Sequence, residues 1–237
     1  GDSMVVAGSD KKLRIHIHSD DPTALFGIIG KKASITYQKV DDMVMQLEQS
    51  HHPKTKIALL TDSTCDLPQE LLEKYHITMA PLSLHVGDSH YLDRTTISSE
   101  QFYTLLDESP VMPTTSQPAY KEFINKYSFL ASHYDSIIGI HISRQLSGTF
   151  SNSERAAKAV GEQSGKQISV LSSNRLSGAL GLVVLRAAEA IENGMSHEEL
   201  ALNIEKWSKQ TQILVSIKTV KYLVRSGRLS YSKGMIG

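Results

Sequence analysis

Short apolar runs alternate with amphipathic segments along most of the chain, beginning near residue 56. The runs at residues 57–60, 137–142 and 168–171 have the length and composition of buried strands, and each is followed by a helical pattern. Short strands separated by helices are typical of βαβ units and of a mostly parallel sheet. The sequence therefore predicts an α/β fold for this part of the chain.

The same region contains further helical and strand patterns. Ser98 and Ser196 each precede a helical pattern and are predicted to cap it. Pro81 lies within an apolar run, which places that strand at a sheet edge. The helices are predicted at residues 68–76, 98–107, 118–131, 149–160, 175–193, 196–209 and 218–225, and the further strands at residues 77–84 and 213–217.

The first 50 residues have a different pattern, mostly that of strands. Apolar and polar residues alternate strictly in the second of these strands, so Arg14, His16 and His18 are expected on one face. A helix is predicted over residues 41–49. Residues 50–53 are then a plausible linker, because they end in a proline, which cannot continue a helix.

Composition narrows the class of protein. A hydrophobic content of 40% with 21% charged residues is typical of globular proteins, and a formal net charge of zero argues against a basic nucleic-acid binder. No apolar run reaches the roughly 18 residues that a membrane span needs. The single cysteine, Cys65, excludes a disulfide framework and a cysteine-rich zinc site within this chain. We expect Cys65 to be a buried structural thiol and the protein to be cytoplasmic.

Charge is unevenly distributed along the chain. Residues 206–237 contain seven Lys and Arg and no Asp or Glu, which leaves the first 205 residues with a net charge of −7. Such a basic segment is expected either to face an anionic ligand or partner, or to be an ordinary solvated surface. The sequence alone leaves both interpretations open.

Serine and threonine are concentrated just after predicted strands and before predicted helices, at residues 61–64, 114–118, 143–149 and 172–174. In an open parallel sheet the carboxyl ends of the strands meet at one crevice. Hydroxyl groups and helix N-terminal amides there suit a carboxylate or a phosphate. Each hydroxyl taken alone is more simply explained as a helix cap. Gly148 favours the binding-site interpretation, because a residue without a side chain lets the backbone approach a ligand closely.

Other kinds of site are also open on the residues alone. Ser147 would serve a serine hydrolase or a small-molecule transferase if a base such as His141 stood beside it. His16 and His18 would provide two ligands for a metal ion, but two histidines without a third ligand are not a site. A regulatory or scaffold module is a third alternative, suggested by the basic segment.

Five ordered motifs resemble those of the DegV family of bacterial fatty-acid-binding proteins, which includes the acyl-carrier subunits of fatty acid kinase. The resemblance covers residues 56–237 and implies two α/β domains with a fatty acid between them. The motifs are Thr-Asp-Ser-Thr-Cys-Asp-Leu-Pro (61–68), Ala-Pro-Leu-Ser (80–83), Pro-Thr-Thr-Ser-Gln-Pro (113–118), Leu-Ser-Gly-Thr (146–149) and Ser-Gly-Arg-Leu (226–229).

The resemblance implies roles for particular residues. The fatty-acid carboxylate is implied to bind Thr115 and Ser147, and Ser116, Gly148 and Thr149 lie in the same two motifs. A partner kinase is implied to phosphorylate the bound acyl group, so no catalytic residue and no cofactor are expected in this chain.

The last of the five motifs corresponds to one that is implicated in kinase docking in the family. In this sequence a serine replaces one of its glycines. We expect Arg228 of this motif and the nearby Arg225 to contact the kinase domain or the nucleotide phosphates that it holds.

Residues 1–50 resemble the end of the middle domain of a Dak2-type fatty acid kinase. The segments that carry this resemblance are residues 1–6 and 16–22. In that family two histidines of one strand help to bind zinc together with an upstream cysteine. This sequence lacks that cysteine, so His16 and His18 are an incomplete metal site, and zinc is expected only in an intact kinase middle domain. The chain thus resembles part of a natural fusion in which the kinase precedes the carrier.

These expectations combine into one organisation. The predicted fold is α/β, with a DegV-like and mostly parallel sheet flanked by helices, a truncated second α/β domain and a small β-rich N-terminal fragment. The domains are expected at residues 1–52, 53–172 and 173–237. The family continues beyond its last motif here, so fatty-acid binding by this polypeptide is expected to be weak or absent.

The expected function is that of a carrier that presents a long-chain fatty acid to a fatty acid kinase, either a domain of the same chain or a separate protein. A hydrolase or transferase that uses Ser147 is the alternative. Nucleic acid and an integral membrane span are not expected.

Overall fold

The computed structural model describes residues 2–51 and 53–226, which form mixed α/β structure. The strands are β1 (Asp2–Ser9), β2 (Lys12–His18), β3 (Ile57–Asp62), β4 (Thr78–Ala80), β5 (Ser83–Val86), β6 (Ser89–Leu92), β7 (Thr114–Ser116), β8 (Ser136–His141) and β9 (Gln167–Ser172). The helices are α1 (Pro22–Gly30), α2 (Met43–His51), α3 (Gln69–Lys74), α4 (Ser99–Glu108), α5 (Tyr120–His133), α6 (Thr149–Ser164), α7 (Ser177–Glu192), α8 (His197–Gln210) and α9 (Lys221–Arg225).

The described residues fall into two compact units. Unit one comprises Gly1–Val40 and Leu84–Thr114, and unit two comprises Asp41–Ser83 and Thr115–Gly237, in each case as far as they are described. The chain therefore enters unit two twice, because the second segment of unit one interrupts it. The division into three consecutive domains stays a prediction.

Unit two is built on a four-stranded parallel sheet with the order β4–β3–β8–β9. Asp62 pairs with Ala80 at the ends of β3 and β4, and His141 pairs with Ser172 at the ends of β8 and β9. All four strands therefore end at the same edge of the sheet, which we call the carboxyl edge. The predicted α/β fold with a parallel sheet is confirmed.

Helices cover both faces of this sheet, which is why its central strands are apolar on both sides. On one face, α5 and α6 pack against alternate strand residues such as Leu60 and Ile137. On the other face, α7 and α8 pack against Leu59 and Ile138. All four of these strand residues are buried, so the sheet forms the centre of unit two.

Unit one contains the antiparallel hairpin of β1 and β2, the helices α1 and α4, and a second sheet with the order β6–β5–β7. The chain passes between the units after Ser83, within β5, and again after Thr114, within β7. The core of this unit is small and combines residues from both of its segments: Ile35, Leu84, Tyr91 and Ile97.

Several predicted strands differ from the observed ones. Residues 77–84 form parts of two short strands, β4 and β5, because Pro81 between them cannot donate a ladder hydrogen bond. Residues 213–217 form no strand, and Leu214 is 95% exposed, because no strand of the described chain pairs with this segment. The strands β6 and β7 were not predicted, since both are short and rich in polar residues.

Helix starts follow the sequence signals closely. Ser98 and Ser196 form capping boxes with Gln101 and Glu199 at the starts of α4 and α8, as predicted. Helix α2 continues to His51, so the predicted linker begins inside the helix. Within the two described ranges, no helix is long and apolar enough to cross a membrane.

Candidate functional site

Three of the four predicted clusters of serine and threonine, at residues 61–64, 143–149 and 172–174, lie along the carboxyl edge of the unit-two sheet and are bonded to one another or to neighbouring loops. The fourth cluster does not follow a strand of this sheet, because residues 114–116 form β7. Directly after β3, the amide of Ser63 donates to the carbonyl of Ala80 at 3.1 Å, and Ser63 Oγ accepts from the amide of Leu82 at 3.0 Å. After β8, the amide of Ser143 donates to the carbonyl of Arg175 at 3.0 Å. Each loop is therefore held in place by the loop after a neighbouring strand.

Asp62 is the centre of this network. Its Oδ1 accepts from the amide of Thr64 at 3.1 Å and from Thr64 Oγ1 at 2.5 Å. Its Oδ2 accepts from the amide of Ile142 at 3.0 Å and lies 3.1 Å from His141 Nδ1. Burial acts to raise the pKa of Asp62, but the interactions with His141, Thr64 and Ile142 outweigh it, so the pKa lies below its ordinary value. An ionised Asp62 thus joins the loop after β3 to the loop after β8.

A chain of buried hydrogen bonds, which we call the Asp62 chain, continues from this carboxylate. His141 Nε2 lies 2.7 Å from Ser153 Oγ, and Ser153 Oγ lies 2.7 Å from the hydroxyl of Tyr127. All four side chains are fully buried. With His141 donating at Nδ1 and accepting at Nε2, every member of the chain has a hydrogen-bond partner. Burial raises the pKa of Tyr127, which keeps its hydroxyl protonated.

The Asp62 chain fixes the orientation of His141, which the alternation of its strand left open. Both ring nitrogens of His141 are engaged, one by Asp62 and the other by Ser153. Ser147 Oγ instead lies 2.8 Å from Thr149 Oγ1. His141 is therefore not positioned as the base that a hydrolase using Ser147 requires. Ser153 does contact His141, but Ser153 is fully buried and so does not face solvent, as a nucleophile that meets a substrate must.

The motif at residues 147–149 forms a tight turn that begins α6. The amide of Thr149 donates to Ser147 Oγ at 3.2 Å, and Gly148 is the N-cap residue, without a side-chain capping bond. Ser147 and Gly148 are half-buried, whereas Thr149 is fully buried. The amides of an uncapped helix start attract an anion, so this turn has the chemistry that the sequence predicts for a carboxylate site.

The motif at residues 115–118 lies directly beside this turn. A Cβ atom on Gly148 would stand 2.9 Å from both Cδ and Nε2 of Gln117, so any larger residue at this position would require the exposed Gln117 side chain to shift. Asn152, in the first turn of α6, donates from Nδ2 to the carbonyl of Pro118 at 3.1 Å. Thr115 is exposed, two residues from this contact. The two motifs that were predicted to share a ligand are thus neighbours in unit two.

Gln117 and Asn152 are the residues of this arrangement that sequence reasoning missed. Gln117 lies in the motif at residues 113–118, and a side-chain amide between two hydroxyl clusters was a signal that could have identified it. Asn152 lies on α6 one turn from Gly148, and only the folded geometry brings it to Pro118. The absence of a side chain at Gly148 leaves room for Gln117 in its present position.

A cavity of about 270 Å³ opens beside the loop after β8, between β9 and α8. Arg144 is one of the residues that line this cavity, and its guanidinium lies over the ring of Phe150, 4.2 Å from the ring centroid. The cavity combines apolar walls with polar groups, and its lining consists of Arg144, Val170, Leu171, Ser172, Asn174, Ala201, Ile204 and Glu205.

The other candidate residues are Cys65, the two histidines of β2 and the two arginines near the end of the described chain. Cys65 is fully buried, as predicted. The rings of His16 and His18 are 5.3 Å apart, and the described residues contain no group of three His, Cys, Asp or Glu that could hold a metal ion. Arg225 is exposed at the end of α9, and Arg228 lies outside the described residues.

Comparison with known families gives two matches along the chain. Residues 56–237 match the family model for "Uncharacterised protein, DegV family". Residues 1–50 match the model for the FakA-like middle domain of fatty acid kinase. Both resemblances that the motifs indicated are therefore confirmed.

Individual relatives agree with the first match. A DegV domain-containing protein of Clostridium perfringens is 34% identical over 76% of this chain and 63% of its own length. A fatty-acid-binding DegV family protein from Thermus thermophilus is 31% identical, with a TM-score of 0.66, over 77% of this chain and 64% of its own.

DegV from Bacillus subtilis, a fatty acid binding protein, is 32% identical, with a TM-score of 0.65 and the same coverage of both chains. The present chain thus spans slightly less than two thirds of each of these relatives. Because the family model and the relatives each cover more than three quarters of the sequence, the chain belongs to the DegV family.

Proposed function

We propose that this protein binds a long-chain fatty acid by its carboxyl group and presents that group to a fatty acid kinase. The observation that carries the proposal is the contact of Gln117 with Gly148, which brings the motifs at residues 115–118 and 147–149 together. The relatives from Thermus thermophilus and Bacillus subtilis, both above 30% identity, are fatty-acid-binding proteins.

The proposed head-group site consists of hydroxyl and amide donors. Thr115, Ser116 and Ser147 supply hydroxyl groups, and Gly148 supplies backbone at the start of α6. The fully buried hydroxyl of Thr149 lies 2.8 Å from Ser147 Oγ and orients it. A carboxylate accepts hydrogen bonds at both oxygens, so several such donors can hold it without a buried cation. The dipole of the 16-residue helix α6 adds favourable potential at its N-terminus.

The alkyl chain has a different role from the head group. Each methylene removed from water contributes about 0.8 kcal/mol, so a chain of about 14 methylenes contributes roughly 11 kcal/mol before the costs of association. The tail therefore supplies most of the affinity. The head-group donors set which atom is presented to the partner.

A kinase partner is supported by the match of residues 1–50 to the middle domain of fatty acid kinase. In the proposed reaction a carboxylate oxygen attacks the γ-phosphorus of a nucleoside triphosphate held by the kinase. The bond to the β-phosphate oxygen breaks, and nucleoside diphosphate leaves. The carrier itself supplies the oriented acyl group. Arg225 is exposed and available for docking, and Arg228 is proposed to act with it.

The head-group assignment is tested by the double variant Thr115→Ala with Ser147→Ala. In a chain extended to the full length of the DegV relatives, we expect the variant to lose the fatty acid that the otherwise identical chain retains through purification, as measured by mass spectrometry of extracted lipid. The matched control is Thr104→Ala with Ser132→Ala, which removes two exposed helix hydroxyls that bond only to carbonyls of their own helices. Equal fatty-acid content in both double variants would show that the carboxylate binds elsewhere.

A further inference from the structure

Part of the segment that matches a kinase middle domain is packed into the core of unit one. Residues 22–40 pack against β5, β6 and α4, which belong to the DegV-matched part of the chain. Ile35 is 6% exposed and shares a core with Leu84, Tyr91 and Ile97. Two stretches that match different families therefore bury one common core.

Backbone hydrogen bonds join the two stretches as well. The amide of His90 donates to the carbonyl of Ile35 at 2.8 Å, and the amide of Ile35 donates to Ser89 Oγ at 3.3 Å. Gln38 Nε2 donates to the carbonyl of His90 at 2.8 Å. Because β6 is the edge strand in the order β6–β5–β7, residues 35–38 occupy backbone groups that an edge strand leaves open.

Helix α1 is shaped for close approach to this surface. A Cβ atom on Gly30 would stand 2.5 Å from the Tyr91 hydroxyl, and one on Gly27 would stand 3.0 Å from Gln101 Nε2. Gln101 Nε2 also donates to the carbonyl of Thr23 at 3.1 Å. The two glycines are one helical turn apart, so they form a side-chain-free face against which Tyr91 and Gln101 lie.

We propose that this surface, which we call the β6 platform (residues 84–102), is a docking site for the middle domain of a fatty acid kinase. Residues 22–40 are the docked part of such a domain, attached here through the same chain. The platform combines an open strand edge, an apolar socket for Ile35 and a flat contact for a glycine-faced helix. The naming of the partner as a kinase domain rests on the proposed function, whereas the contact itself does not.

Docking is tested by a pair of substitutions with opposite effects. Gly30→Ala favours the isolated helix but places a methyl group against the Tyr91 hydroxyl, so we expect residues 22–40 to detach. Tyr91→Phe removes that hydroxyl and is expected to restore docking in the double variant, since the Cζ atom is 3.5 Å away. Gly178→Ala is the matched control, because no atom lies within 4 Å of its Cβ position.

The reporter is amide hydrogen exchange of the full chain at His90, whose N–H is bonded to Ile35. We expect exchange about tenfold faster or more in Gly30→Ala, and rates close to those of the unaltered chain in Gly178→Ala and in the double variant. Unchanged protection of His90 in Gly30→Ala would overturn the docking geometry. The variant Thr115→Ala with Ser147→Ala is expected to leave this protection intact, so failure of fatty-acid binding is distinguishable from failure of docking.

A second experiment separates a docked partner from an integral part of the fold. Ile35→Asp places a charge in the socket and is expected to open the platform in the full chain. A fluorescent synthetic peptide of residues 21–40 should then bind this variant and not the unaltered chain, as measured by anisotropy. The proposal is overturned if the peptide fails to bind the variant, binds both chains equally, or if the substitution also removes exchange protection from α4.

Discussion

Replacing Asp62 with asparagine tests how the loops at the carboxyl edge are held. Four donor groups surround the carboxylate: Thr64 N, Thr64 Oγ1, Ile142 N and His141 Nδ1. An asparagine keeps one accepting oxygen, and its NH₂ group meets two of these donors instead. A buried donor without an acceptor costs about 1–3 kcal/mol, so two of them lower the free energy of unfolding by about 2–6 kcal/mol.

The measurement is denaturant unfolding of the full chain at neutral pH, monitored by circular dichroism. Asp135→Asn is the matched control, because Asp135 is exposed at the turn before β8. Since the folded state lowers the pKa of Asp62, its stabilisation is complete above the ordinary value of 3.8 and is lost as the pH falls through the lowered value. The difference between the unaltered chain and Asp62→Asn is therefore expected to narrow in acid.

Asp62 does not hold these loops if Asp62→Asn and Asp135→Asn have free energies of unfolding within about 0.5 kcal/mol of each other at neutral pH, which is the range of ordinary surface substitutions. The same conclusion follows if the difference between the unaltered chain and Asp62→Asn grows as the pH is lowered.

Two further predictions concern other parts of unit two. Gly148→Ala is expected to displace the Gln117 side chain and lower fatty-acid retention with little change in thermal stability, and equal retention in Gly148→Ala and the control Gly178→Ala would contradict this. Burial lowers the pKa of His197, so folding favours its neutral form and stability falls as the pH drops below the ordinary value of 6.5. His197→Gln should flatten that part of the stability profile, whereas His51→Gln, at an exposed position, should not.

The parallel sheet was predictable because its strands are buried on both faces. Continuous apolar runs such as residues 57–60 and 137–142 have no other simple interpretation when helical patterns follow them. The capping residues Ser98 and Ser196 could also be predicted from the sequence, since a capping residue bonds to its own helix. Residues 213–217 show where prediction from the sequence fails. Their composition favours a strand, but a strand also needs a neighbouring strand to pair with.

The candidate site was predictable at the level of its motifs and not at the level of its contacts. Hydroxyl-rich loops after parallel strands share one edge, so the loops after β3, β8 and β9 could be grouped before the fold was known. The pairing of Thr115 with Ser147 came instead from the family resemblance, since Thr115 lies in β7, outside the parallel sheet. The orientation of His141 and the position of Asn152 depend on how α5 and α6 pack on the sheet. No local pattern encodes that packing, so the Asp62 chain was not foreseen.

The interleaving of the two units has a consequence for the order in which the protein folds during synthesis. Residues 1–40 leave the ribosome before residues 41–105, so Ile35 can contact its core partners only after residues 84–105 have been synthesised. The apolar side chains of residues 22–40 therefore stay exposed while residues 41–83 are translated. Slow translation between these stretches would lengthen the time for which these side chains are exposed, and a chaperone bound to residues 22–40 would shield them.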